Sequence, residues 1–154
     1  MAVKLPATNP ALAAGTGGQQ TDEQVRSEIQ QVLTTLEAAL ARGDSAEDTA
    51  RMLYAEDVLI SSPDTPVVRG IEGATAAVQD FFDALGPGGG KGCKYRVIDP
   101  VVASSATFAS FLSLSCKANP PVLAEDLDLR LVYVWKKLPQ GWRVVLETVQ
   151  YGTF

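Results

Sequence analysis

Glu147 and Asp64 are the two carboxylates of this 154-residue chain whose neighbours could make them acids or bases. The chain has no histidine, which removes Ser-His and Cys-His catalysis, imidazole acid–base work and histidine metal sites. A proton must therefore move on Asp, Glu, Tyr, Lys or Cys. In "WRVVLETVQYGTF", strand alternation places Glu147 and Tyr151 inward if Val145 and Val149 face inward. "DLDLRLVYVWKKL" supplies the neighbouring strand, with Leu127, Leu129, Leu131, Tyr133 and Trp135 on one face. Glu147 would then stand among aromatic and aliphatic groups. Desolvation there raises a carboxyl pKa and suits it to general acid or base work. The plainer reading pairs Glu147 with Arg130, Arg143 or Arg96, or turns it to solvent or a dimer partner, because a one-residue slip flips every side chain.

Asp64, in "SPDTP", has the parity of Ser62 and could bring a carboxylate to the mouth of a pocket. It also has the composition of a turn-forming Asp. Ser62 can donate a hydrogen bond to a ligand, but no neighbouring base makes it a nucleophile. Tyr54, Tyr133 and Tyr151 can polarise a ligand carbonyl or serve as core aromatics with a polar tip. In "EDLDLR", Asp126 and Asp128 fall opposite the apolar stripe and read as a solvated or dimer face. A hard-cation site needs about six converging oxygens. "GPGGGKG" lacks the GxxxxGK[ST] pattern between strand and helix, and reads as a flexible loop. No metal and no cofactor is expected.

The elements that must position these residues can be followed along the chain. Residues 1–20 read as an N-terminal arm, since Pro6, Asn9 and Pro10 interrupt any signal-like apolar run. Residues 21–154 read as one domain. Thr21 and Gln24 fit a capping box, Val25, Ile29, Val32, Leu33, Leu36 and Leu40 recur at helical spacing, and Gly43 stops the helix. "DSAEDTARMLYAED" restarts as a short helix capped by Asp44 or Ser45, with Tyr54 on its apolar face. "VLISS", a Pro63–Pro66 turn and "VVRG" form a hairpin. A third helix over 73–85 turns Ala74, Ala77, Val78, Phe81, Phe82 and Leu85 inward. Four strands follow, with a bulge expected at Asp99-Pro100. Helices before a largely antiparallel sheet predict an α+β fold. Three helices on a curved sheet make a cone with one open mouth, where small ligands bind.

Composition narrows the partners. A net charge of −5 with scattered Lys and Arg excludes a nucleic-acid surface. No run reaches the roughly 18 apolar residues of a membrane span. Cys93 and Cys116, each on a strand, are expected as buried free thiols, with a disulfide left open for want of geometry. The expected location is cytoplasmic.

"AALARGD", "YAEDVLISSP", "VVRGIEGATAAVQDFFDAL" and "LRLVYVWKKLPQGWRVVLETV", in this order, resemble the nuclear transport factor 2-like superfamily. Within it they look most like the ketosteroid isomerase and polyketide-cyclase (SnoaL-like) proteins, over residues 21–151. The resemblance implies a curved sheet, a deep apolar pocket for a small hydrophobic or aromatic molecule, and a homodimer packed through the sheet. It places the isomerase base at Ser62, the oxyanion tyrosine at Leu36 and the protonated aspartate at Leu131, so none of that family's three catalytic groups is present. Two readings follow. One is an acid–base enzyme of isomerase, cyclase or dehydratase type, using Glu147 or Asp64 and a tyrosine. The other is a binding or dimerisation module with the same cavity. Tyr54, Ser62, Phe82, Leu131, Tyr133, Trp135 and Tyr151 are its expected lining.

Overall fold

Val25, Ile29, Leu33, Leu36 and Leu40 recur about one helical turn apart, and burying that stripe fixes the first helix, α1 (Asp22–Arg42). The computed structural model describes residues 22–104 and 106–154, so the 1–20 arm and the Thr21 cap lie outside the described residues. Gly43, at φ 77°, takes the left-handed conformation that ends α1, and its N–H reaches Ala39 O at 3.1 Å. Ser45 caps α2 (Ala46–Leu53), its hydroxyl accepting from Asp48 N at 3.1 Å.

Here the chain departs from the helix pattern. Tyr54 is not on α2 but is already extended (φ −104°, ψ 147°), and opens β1 (Tyr54–Ser62) directly from the helix end. The strand thus takes in "YAED" as well as "VLISS". After a turn, β2 (Thr65–Arg69) returns antiparallel to β1. α3 (Gly70–Leu85) starts a turn earlier than its apolar spacing predicts, and buries Ile71, Ala74, Val78 and Leu85.

The glycine-rich segment read as flexible is a packed turn. Its 3-10 helix (Gly89–Gly92) lies against the end of α1, where a Cβ on Gly90 would meet Leu40 O at 2.4 Å. Glycine is therefore required there by close backbone approach.

β3 (Cys93–Ser104), β4 (Thr107–Cys116), β5 (Leu127–Leu138) and β6 (Gly141–Tyr151) form an antiparallel meander. β6 then pairs parallel to β1, so one open, mixed sheet runs β2-β1-β6-β5-β4-β3. With three helices over one face, the architecture is α+β. β3 is irregular against β4 in two places, between Val97 and Asp99, just before the bulge expected at Asp99-Pro100, and between Val102 and Ser104.

The two cysteines are not free thiols. Cys93 and Cys116 face each other directly across β3 and β4 and are joined as a disulfide. Both are buried, as expected of strand cysteines, but only the strand register reveals that they are opposite. No helix among the described residues is long and apolar enough to cross a membrane.

Candidate functional site

Between the helices and the inner face of the sheet lies a cavity of about 480 Å³. Leu36 and Leu40 of α1, Leu53 of α2, and Val78, Phe81 and Phe82 of α3 form its helical side. Tyr54, Tyr95, Leu131, Tyr133, Val149 and Glu147 form its sheet side. All three positions matched to the isomerase machinery, Leu36, Ser62 and Leu131, line this space. Any acid–base group of the cavity must therefore come from other residues.

Glu147 is 6% exposed, although it is a carboxylate. It sits on β6 between Tyr133 of β5 and Ile60 of β1, its register partners. Its position depends on a bulge. The β5–β6 register shifts where Val134 pairs with Leu146 but Trp135 pairs with Val144. Trp142 and Val144 therefore face the core, Val145 is the extra residue, and Glu147 and Val149 return to the inner face. Simple alternation from Val145 reaches the same side for Glu147 but assigns Val145 itself wrongly.

Tyr54, brought in by the abrupt end of α2, donates a hydrogen bond to Glu147 Oε2. No arginine takes that place. Arg143 donates instead to the carbonyls of Arg51 at 3.0 Å and Trp142 at 2.9 Å. Arg130, whose register partners are Ser113 and Gln150, lies on the opposite sheet face. Burial pushes the Glu147 carboxyl up to about 7, and the Tyr54 hydrogen bond pulls the other way. Burial first, then the Glu147 charge, holds the Tyr54 and Tyr133 phenols well above their usual range. Burial also raises Tyr95. These tyrosines are thus hydrogen-bond donors and not proton acceptors at ordinary pH.

Tyr95 was not among the residues singled out from the sequence. Its ring lies 6.5 Å from that of Tyr133, and Glu37 on α1 fixes its backbone by accepting from Tyr95 N at 2.8 Å. The signal was available in "CKYRV", where Tyr95 shares inward parity with Cys93.

The remaining expected residues divide. Phe82, Leu131 and Tyr133 line the cavity, and Ser62 and Tyr151 stand at its rim. Ser62 is satisfied by Thr65 Oγ1 at 2.6 Å. Asp64 lies in the exposed β1–β2 turn outside the lining, and the Tyr151 hydroxyl donates toward it, which raises the Tyr151 pKa. Trp135 does not reach the cavity. It is fully buried, stacks edge-on to Tyr133 at 5.5 Å and donates to Ser110 Oγ at 3.2 Å. Its place is the sealed core beyond Tyr133. A second site of about 630 Å³, at the end of α1 and the glycine-rich turn, holds Arg42 already paired with Asp44 at 2.6 Å.

Thr49 of α2 also lines the cavity; it is 3% exposed and its hydroxyl has no hydrogen-bond partner. An orphaned buried hydroxyl costs about 1–3 kcal/mol. Thr49→Val should therefore raise stability by about 1 kcal/mol, read from the urea midpoint at constant m-value. A lower midpoint would show that the hydroxyl has a partner in solution. Among the described residues no group of three or more His, Cys, Asp or Glu is placed to hold a metal ion.

The fold matches solved structures at low identity. A ketosteroid isomerase-like protein from Erwinia carotovora atroseptica aligns with TM-score 0.63 and 13% identity, over 87% of this chain and all of that one. An NTF-2-like protein of unknown function from Shewanella oneidensis gives 0.66 and 16%, over 81% and 98%. An NTF2-like protein with a cystatin-like fold from Novosphingobium aromaticivorans gives 0.60 and 16%, over 82% and 81%. The chain has the nuclear transport factor 2-like fold. No protein-family model and no curated protein matches it.

Proposed function

We propose that residues 21–154 form one domain whose cavity takes a small hydrophobic or aromatic molecule and moves a proton on it. Glu147 is the acid–base group and Tyr54 the phenol that holds it. The single observation behind this is a buried carboxylate, partnered among the described residues by a phenol, at the wall of an apolar cavity. A carboxyl with pKa about 7 can both take and return a proton near neutrality. The reaction class is isomerisation, cyclisation or dehydration at a carbon next to a carbonyl, by a route that does without the isomerase residues absent at Leu36, Ser62 and Leu131. Asp64 is the weaker candidate, because it stands outside the cavity lining.

The test is α-proton exchange of a panel of enolisable ketones in D2O, followed by NMR. Exchange should rise with pH through about 7 as Glu147 ionises, and Glu147→Gln should lower it at least about 100-fold. Full exchange in that variant would eliminate the assignment.

A second reading, a non-catalytic binding or dimerisation module, draws support from the outer sheet face. Phe111 and Leu146 are 40% and 37% exposed, Val132 and Val134 lie between their strands, and Phe154 meets Phe111 edge-on at 6.1 Å. An apolar face of this kind fits a homodimer through the sheet. It is compatible with an active cavity on the other side. The buried disulfide favours an oxidising compartment over the cytoplasmic location expected from composition.

A further inference from the structure

We infer that the cavity's ligand is a hydrophobic molecule bearing one positive charge, an aryl- or alkylamine protonated at neutral pH. This rests on the reading of the cone cavity as the ligand site, but not on catalysis there. The argument begins with what Glu147 lacks. A carboxylate buried among apolar groups either shifts toward its neutral form or is stabilised in its charged form by a compensating cation. Here, among the described residues, the hydrogen-bond partner of Glu147 is the Tyr54 hydroxyl.

Among the described residues, the groups facing Glu147 supply no positive charge. Tyr54 comes from β1, Tyr95 from β3 and Tyr133 from β5, while α1 and α2 contribute only aliphatic groups and the Thr49 hydroxyl. The other ionisable lining group is Asp80 of α3, exposed near the mouth, and Asp64 lies just beyond the rim against Tyr151. Among the described residues no Lys or Arg lines the cavity. A carboxylate or phosphate entering would meet negative charge with nothing to neutralise it. An ammonium would supply the missing counter-charge, and the surrounding tyrosine rings attract cations through their π faces. The space, about 480 Å³, is within the range of drug-sized ligand sites. Because burial sets Glu147 near 7, its negative charge is present from neutrality upward.

The probes are naphthylethylamine, naphthylethanol and naphthylacetate, which share a ring system and differ in charge. Titration calorimetry at pH 8 should rank the amine about tenfold or more tighter than the alcohol, with the acetate weakest. At pH 6, where Glu147 is mostly protonated, the amine should lose about tenfold while the alcohol is unchanged. Glu147→Gln should abolish the preference for amine over alcohol. The pH dependence of the unaltered protein reads the same charge without any substitution. Equal binding of amine and alcohol at pH 8 overturns the charge assignment alone, as does a preference that survives in Glu147→Gln. Failure of all three probes to bind overturns the ligand cavity and the assignment together.

Discussion

Glu147→Gln is expected to leave stability unchanged near pH 4 and to raise it by about 3 kcal/mol above pH 8. The sign follows from where the proton is held. In the unfolded chain the carboxyl titrates at its ordinary value of 4.5, and in the folded protein burial moves it to about 7. The folded state therefore binds this proton more tightly. The group's favourable contribution is complete below pH 4.5 and is lost as pH rises through 7. Above that, the native protein carries a buried charge that unfolding would release to water. Glutamine keeps the shape, and its carbonyl still accepts from Tyr54, but it cannot ionise. Urea midpoints of both proteins at pH 4, 6 and 8 isolate the effect as a difference, since every other group titrates alike in the two. Parallel midpoints across that range would mean that Glu147 is not shifted upward. The same substitution should thus cost activity and raise alkaline stability, a trade expected where a carboxylate is kept for its chemistry.

The sequence admits an inward Glu147 as one of two readings, and the agreement of two neighbouring strands is what favours it. Leu129, Leu131 and Tyr133 on β5 and Glu147 and Val149 on β6 repeat every second residue, and only one face can be buried. Trp135 obeys the same alternation, but a cavity is a local gap in a packed face, and parity says nothing about where the packing stops. The spacing of Tyr54 from Ala46, Ala50 and Leu53 is helical, so its sequence places it on α2. Its actual role comes from a helix end with no intervening loop, which depends on β1 docking beside β6. The β6 bulge at Val145 has no local signature either, since it resolves a mismatch between strands distant in sequence. Helix periodicity and caps are local, so α1, α2 and α3 were readable. Register is a property of pairs, so the polar cluster at the cavity wall was readable only in part.

Register also decides the second large effect. Replacing both Cys93 and Cys116 by alanine is expected to destabilise the protein by about 3 kcal/mol, because the bond closes a loop across a sequence separation of 23. The loop it closes is the β3–β4 hairpin, and the link ties the start of β3 to the end of β4 beside the glycine-rich turn, where Lys117 N also donates to Gly92 O at 3.2 Å. Without it the unfolded chain gains the freedom of that loop, while the native packing loses only two small buried sulfurs. Glu147 and Tyr54 lie on β6 and β1, so ligand binding at saturating stability should be unaffected. Urea midpoints with and without reductant provide the check. The unaltered protein should fall to the level of the double-alanine variant when reduced during unfolding, and the variant should not respond. A midpoint insensitive to reductant would mean that the cysteines remain thiols. It would also remove the argument for an oxidising compartment, because the two cysteines would then be only small apolar residues on the inner face of adjacent strands.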